Sequence, residues 1–150
     1  MLDAPWARRP YPGDAFMLPF GQARIIQGGS DLTVVTWGGM VERCEKAAAE
    51  VGGSIEIIDL RTIVPWDKAA VLESVRKTGK CLIVHEEILT AGFGAEIAAT
   101  IAQEAFMALD APIERIGAPS TPVPFSTDLM EGVIPQPGQI QARMEALLEF

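Results

Sequence analysis

The stretch HEEILTAGFGAEIA, residues 85–98, gathers the side chains best suited to chemistry in this chain. It holds the only histidine, His85, followed directly by Glu86 and Glu87. A carboxylate beside an imidazole favours the charged ring and can tune a general base. Gly92 and Gly94 then begin a G-x-G-x-x-G spacing, but Ile97 stands at the third glycine position. A dinucleotide fingerprint also needs an acidic residue about 20 positions on, at the end of the next strand. Glu114 is the nearest and falls inside a strand-like run. These residues therefore predict a tight strand-to-helix turn with glycines where the backbone bends, and a hydrogen-bonded His85. Amides at such a helix start can hold an anion or a carboxylate. Glu96 suits the helix dipole without any ligand. No serine nucleophile elbow, H-E-x-x-H, Walker loop or paired-carboxylate spacing stands out.

The elements that must position these residues are legible as apolar runs. ARIIQ (23–27), LTVVTW (32–37), IEIIDL (55–60), CLIVH (81–85) and IERIG (113–117) read as strands. Between them lie helical patterns. Met40, Val41, Cys44, Ala48 and Val51 share one face, and Ala70, Val71, Ser74 and Val75 share another, with Asp67 as its cap. A long helix over 95–109 turns Ile97, Ala98, Ile101, Ala102, Ala105 and Leu109 inward. A C-terminal helix over 137–148 presents Ile140, Met144 and Leu147. The proline-rich APSTPVPFS reads as a loop. Continuous apolar strands separated by amphipathic helices predict a parallel sheet covered on both faces. Four residues join ARIIQ to LTVVT, too few for a parallel crossover, so that strand is antiparallel. The expected fold is α/β, a three-layer α/β/α sandwich with a five-stranded, mostly parallel sheet. Residues 1–20 read as a linker or N-terminal arm, and 21–150 as the domain. A chain that opens on a linker suggests a piece of a larger protein.

In open α/β sheets ligands gather beyond the carboxyl ends of the strands. Thr36, Asp59, Arg61, His85 and Glu86 fall there, on one rim. Such a rim suits an interface with another domain or a small ligand. Asp59 and Arg61 also suit a local pair that anchors loops.

The totals narrow the partners. The 150 residues suit one domain with its own core, and 49% are apolar. The net charge of −8 argues against nucleic acid and against an anionic membrane surface. It favours a basic protein partner. No apolar run approaches the ~20 residues of a membrane span, and MLDAPWARRPYPGD lacks the apolar core of a signal peptide. Cys44 and Cys81, the two cysteines, fall in apolar stripes and read as buried, reduced thiols. With no CxxC and one histidine, a Cys/His metal site is not expected.

Seven segments follow one another in order: LPFGQARI, DLTVVTWGGMV, IEIIDLRTIVPWD, VRKTGKCLIVHEE, TAGFGAEIAATIAQEAF, LDAPIERIGAPSTPVPF and IPQPGQI. This series resembles the C-terminal domain of the beta subunit of 2-oxo acid dehydrogenase E1 components, within the transketolase C-terminal domain family. The resemblance covers about residues 16–150. It departs at Ala91, where the family has the first of two glycines before the FG pair, and around the prolines of GAPSTPVPF.

The resemblance implies an oxidoreductase acting on 2-oxo acids of the pyruvate or branched-chain type, with thiamine diphosphate and magnesium as cofactors of the full enzyme. This fragment alone should neither bind them tightly nor turn over. The family's Gly-Asp-Gly motif is absent, PGDA being the nearest approach, and His85 does not inherit the catalytic histidine of the missing half. The implied partners are the E1 alpha subunit or domain, a second beta subunit and the basic peripheral subunit-binding domain of E2. Asp110 in LDAP falls near the family's acidic docking position, and Phe150 carries the final carboxylate; His85, Glu86, Arg61 and Asp59 are the other interface candidates. The implied compartment is cytoplasmic, or the mitochondrial matrix in a eukaryote. Two other readings stand beside this one: a regulatory module holding a small anion on the strand-end rim, and another thiamine enzyme of the family, such as a transketolase or an acetoin dehydrogenase.

Overall fold

A computed structural model describes residues 10–150. The strands are β1 (Arg24–Gln27), β2 (Leu32–Thr36), β3 (Ile55–Asp59), β4 (Cys81–Ile88) and β5 (Glu114–Ala118). The helices are α1 (Met40–Ala49), α2 (Lys68–Thr78), α3 (Phe93–Glu104), α4 (Thr127–Val133) and α5 (Pro137–Leu148). The sheet runs β1-β3-β2-β4-β5. Only β1 is antiparallel, pairing with β3, while β2 pairs in parallel with β3 and β4, and β4 with β5. The expected five-stranded mixed sheet is what the chain forms.

Alternation along the strands builds two cores. Leu32, Val34, Ile55, Ile57, Leu82 and Val84 point to α1 and α5, meeting Met40, Cys44, Ile140, Met144 and Leu147. Val35, Ile58, Cys81 and Ile83 point to α2 and α3, meeting Val71, Val75, Ile97 and Ile101. Both faces of the central strands are thus dry, which is why they read as unbroken apolar runs. Cys44 and Cys81 are fully buried free thiols, and burial pushes both up to about 12. Thr33, the polar exception in β2, is wholly buried. Its hydroxyl bonds those of Ser74 at 2.6 Å and Thr78 at 2.8 Å, so it leaves nothing unpaired.

The short link from β1 to β2 steps across the start of β3. A Cβ on Gly29 would come within 2.2 Å of the Ile55 carbonyl carbon, so only glycine fits that crossing. Asp67 caps α2 as expected, accepting from Ala70 N–H at 3.1 Å, and its other oxygen accepts from Ala23 N–H at 2.9 Å.

Three expected boundaries move. The strand expected to end at His85 continues to Ile88. The helix expected over 95–109 runs Phe93–Glu104 and breaks into a single 3-10 turn, Phe106–Ala108, which leaves Ala102 exposed. Ala105 takes a non-helical φ of −134° there. The loop expected at APSTPVPFS holds no helix, and α4 follows it over residues that no apolar periodicity marks. Of the expected N-terminal arm, residues 1–9 lie outside the described residues, and 10–20 contain neither helix nor strand.

Candidate functional site

The expected site residues separate to the two ends of the sheet. At the carboxyl end, the strand-end rim is partly roofed over. Thr36 is fully buried, its hydroxyl donating to the Val84 carbonyl at 2.9 Å. His85 is also fully buried. Its ring stacks on Trp37, centroids 5.4 Å apart and planes within 10°. Trp37 in turn meets Phe93 edge-on, and Phe93 meets Trp66. Asp59 is half-buried, while Arg61 and Glu86 are exposed. Asp59 and Arg61 do pair, but through the backbone: the Arg61 N–H donates to Asp59 Oδ1 at 3.0 Å. That bond holds Arg61 at a φ of 58°, a left-handed conformation that costs a non-glycine residue energy. The outward face of the rim therefore belongs to Asp59, Arg61 and Glu86, with Thr36 and His85 beneath it.

Three glycines fit the space around His85. A Cβ at Gly94 would lie 2.4 Å from Nε2, and Cβ atoms at Gly117 and Gly92 would lie 2.9 and 3.3 Å from Cε1. Nδ1 lies 3.0 Å from the Glu87 carbonyl, which fixes Nδ1 as the protonated nitrogen of the neutral ring. Nε2 is buried with no hydrogen-bond partner. Burial lowers the pKa of His85 below 6.5, outweighing the upward pull of the Glu87 carboxylate and carbonyl, with Arg115 lowering it further. A neutral ring with its free nitrogen against Gly94 has no room for a substrate, so the geometry supports a structural imidazole.

The start of α3 is occupied as well. Glu87 Oε1 accepts the Phe93 N–H at 2.7 Å. The carboxylate that such a helix start can hold is thus the chain's own. Trp37 and Phe93 were not singled out by sequence reasoning, and Glu87 was read only as a carboxylate beside the imidazole. The signal for its place at α3 is a carboxylate six residues ahead of a glycine-flanked helix start.

At the opposite end, Asp110 is exposed and held by its backbone. Its N–H donates to the Gly79 carbonyl at 2.8 Å. Gly79 caps α2 in a left-handed conformation, φ 69°. A Cβ there would meet Asp110 Oδ2 at 2.2 Å, so the carboxylate rests directly over that glycine. The cations nearby point elsewhere. Arg76 donates to the Glu104 carbonyl, Lys77 pairs with Glu56, and Lys80 donates to the Leu148 carbonyl at 3.2 Å. Among the described residues the Asp110 carboxylate has no ion-pair partner within 4.0 Å. It borders a groove of about 550 Å³ lined by Phe106, Met107 and Leu109. Phe150 is exposed and lies two residues beyond the end of α5.

The Phe93 amide at the start of α3 is engaged by Glu87, and among the described residues no group of three or more His, Cys, Asp or Glu side chains is placed to hold a metal ion.

A mixed five-stranded sheet between helical layers, with aromatic packing at its carboxyl-end rim, places the chain in the α/β class. Residues 21–140 match the family model described as "Transketolase, C-terminal domain", and the chain belongs to that family. It is 47% identical over 117 residues to the "2-oxoisovalerate dehydrogenase subunit beta 2, mitochondrial" of Arabidopsis thaliana, covering 76% of this chain and 33% of that protein. It is 45% identical over 134 residues to the "Acetoin:2,6-dichlorophenolindophenol oxidoreductase subunit beta" of Cupriavidus necator, covering 87% and 40%. It is 38% identical over 146 residues to a "Pyruvate dehydrogenase E1 component subunit beta" of Staphylococcus epidermidis, covering 95% and 45%. The chain thus spans less than half the length of these relatives. Among solved structures, a "Split gene transketolase, inactive beta4 tetramer" superposes with a TM-score of 0.76 at 21% identity, over 91% of this chain and 44% of that one. At that identity the likeness concerns the fold.

Proposed function

We propose that this chain is the C-terminal domain of the beta subunit of a thiamine-diphosphate-dependent 2-oxo acid dehydrogenase E1. Its work is assembly with the E1 alpha subunit and a second beta subunit, and docking of the basic peripheral subunit-binding domain of E2. The observation that carries the docking role is Asp110: an exposed carboxylate, resting over Gly79, with no ion-pair partner within 4.0 Å among the described residues. A charge held in place without such a partner is suited to a cationic one, because little ordering is needed when that partner arrives. Phe150, exposed two residues beyond the end of α5, is the second docking group of this reading. Asp59, Arg61 and Glu86 are the groups the rim offers to a neighbouring subunit. Thiamine diphosphate and magnesium belong to the assembled enzyme, with the fragment leaving their binding to other parts. The compartment on this reading is the cytoplasm, or the mitochondrial matrix.

The relatives' names divide between branched-chain 2-oxo acids, pyruvate and acetoin, so acetoin is the second reading. The test is the full-length beta subunit co-expressed with its alpha subunit, supplied with thiamine diphosphate and magnesium. Reduction of an artificial acceptor is followed with 2-oxoisovalerate, pyruvate and acetoin in turn. Turnover with a 2-oxo acid supports the first reading and turnover with acetoin alone the second. Transfer of ketol groups between sugar phosphates, with neither oxidation, would overturn both.

A further inference from the structure

Lys80 links the segments that carry the two proposed docking groups. It follows Gly79, whose carbonyl accepts the Asp110 N–H at 2.8 Å. Its own ammonium donates to the carbonyl of Leu148, the last residue of α5, at 3.2 Å. A cation at a helix C-terminus is favourable, since the last carbonyls there lack intrahelical partners. Leu148 is held from the other side too. A Cβ on Gly53 would lie 2.6 Å from its Cδ1, so the leucine methyl rests against that glycine. The end of α5 is therefore gripped between Gly53 and Lys80, and Asp110 is gripped by Gly79. Two consecutive residues set both positions.

We infer that Lys80 is a positioning residue for partner docking: it fixes the end of α5, and the residues after it, relative to Asp110. This rests on the docking reading above. Lys80 touches no partner in this role. It acts by removing freedom from Glu149 and Phe150, whose ordering would otherwise be lost from the binding energy.

The sign of the effect separates this from simple electrostatics. Replacing Lys80 by a neutral side chain makes this end of the molecule more negative. If the lysine acted only through its field, a basic partner would then bind equally well or more tightly. A positioning role demands the opposite.

The experiment titrates the E2 subunit-binding domain into full-length E1, wild type and variant, at fixed ionic strength. Lys80→Met is expected to weaken binding by about fivefold or more, and Lys80→Arg to restore it within about twofold. Hydrogen exchange is read in parallel on the last turn of α5, where the Glu149 N–H bonds the Glu145 carbonyl. Exchange there should quicken in Lys80→Met and not in Lys80→Arg. Unchanged or tighter binding by Lys80→Met overturns the inference, as does weaker binding without faster exchange. Asp110→Asn is the control on the reading beneath it. If Asp110→Asn also binds like wild type, the docking reading fails; if it binds weakly while Lys80→Met does not, only the role of Lys80 fails. Should Lys80→Met not assemble, Lys80→Gln takes its place in the same comparison.

Discussion

The imidazole of His85 lies flat beneath the indole of Trp37, ring centroids 5.4 Å apart and planes within 10° of parallel. The pair closes the carboxyl end of the sheet at β2 and β4. With Glu87 Oε1 on the Phe93 amide and the Glu87 carbonyl 3.0 Å from Nδ1, it ties strand β4, the turn and the start of α3 into one unit.

The first prediction concerns pH. His85 is the only histidine, and burial lowers its pKa in the folded chain below 6.5. The unfolded chain then binds more protons than the native one just below that value, so stability rises with pH through this window. Its contribution is complete above pH 6.5 and is lost as pH falls toward the folded value. Urea unfolding between pH 8 and 5 should show a plateau and then a decline, with a slope of at most about 1.4 kcal/mol per pH unit. In His85→Asn the decline that sets in just below pH 6.5 should vanish. An unchanged decline would show that other groups cause it.

The second prediction concerns Gly94. Alanine in a helix is ordinarily favoured over glycine by about 1 kcal/mol. Here its Cβ would lie 2.4 Å from His85 Nε2, and that ring is confined under Trp37. Overpacking of about 1–3 kcal/mol outweighs the propensity gain. Gly94→Ala should therefore destabilise the chain, read as a lower urea midpoint at unchanged m-value. A stabilised variant would mean that His85 moves freely.

The third prediction concerns Ala91, which adopts a φ of 58°. The left-handed conformation costs an L-residue roughly 1–2 kcal/mol. Glycine removes that cost and returns about 0.4–1 kcal/mol of it through unfolded-chain entropy. Ala91→Gly should raise stability by up to about 1 kcal/mol, seen as a higher thermal midpoint. A lower midpoint would contradict the strain.

The fourth prediction concerns Phe150. If its carboxylate docks the partner, a short C-terminal extension should weaken E2-domain binding while the melting temperature stays the same. Equal affinity for extended and unextended enzyme would remove Phe150 from the interface.

Much of this was legible in the residues. The β-branched runs of β2, β3 and β4 and the stripe Ile140, Met144 and Leu147 carry their burial in their spacing. What sequence could not give was depth. His85 ends an apolar run and reads as a rim residue, but β4 continues for three residues past it, and Gly92, Gly94 and Gly117 let the chain close over its ring. The contact with Gly117 comes from β5, over 30 residues away, and local periodicity does not encode it. Asp110 shows the reverse case. LDAP marked the position, whereas its place over Gly79 and the diversion of Arg76, Lys77 and Lys80 are products of tertiary packing. The helix expected to reach Leu109 stops at Glu104 for no reason its apolar spacing reveals.

The central claim is that this domain presents Asp110 to a basic E2 partner. Its most direct test is calorimetric titration of the E2 subunit-binding domain into full-length E1 carrying Asp110→Asn, at one salt concentration. The substitution keeps the side-chain shape over Gly79 and removes the charge. Binding is expected to weaken by about tenfold or more, about 1.4 kcal/mol, with the thermal midpoint unchanged. Wild-type affinity in that variant would contradict it.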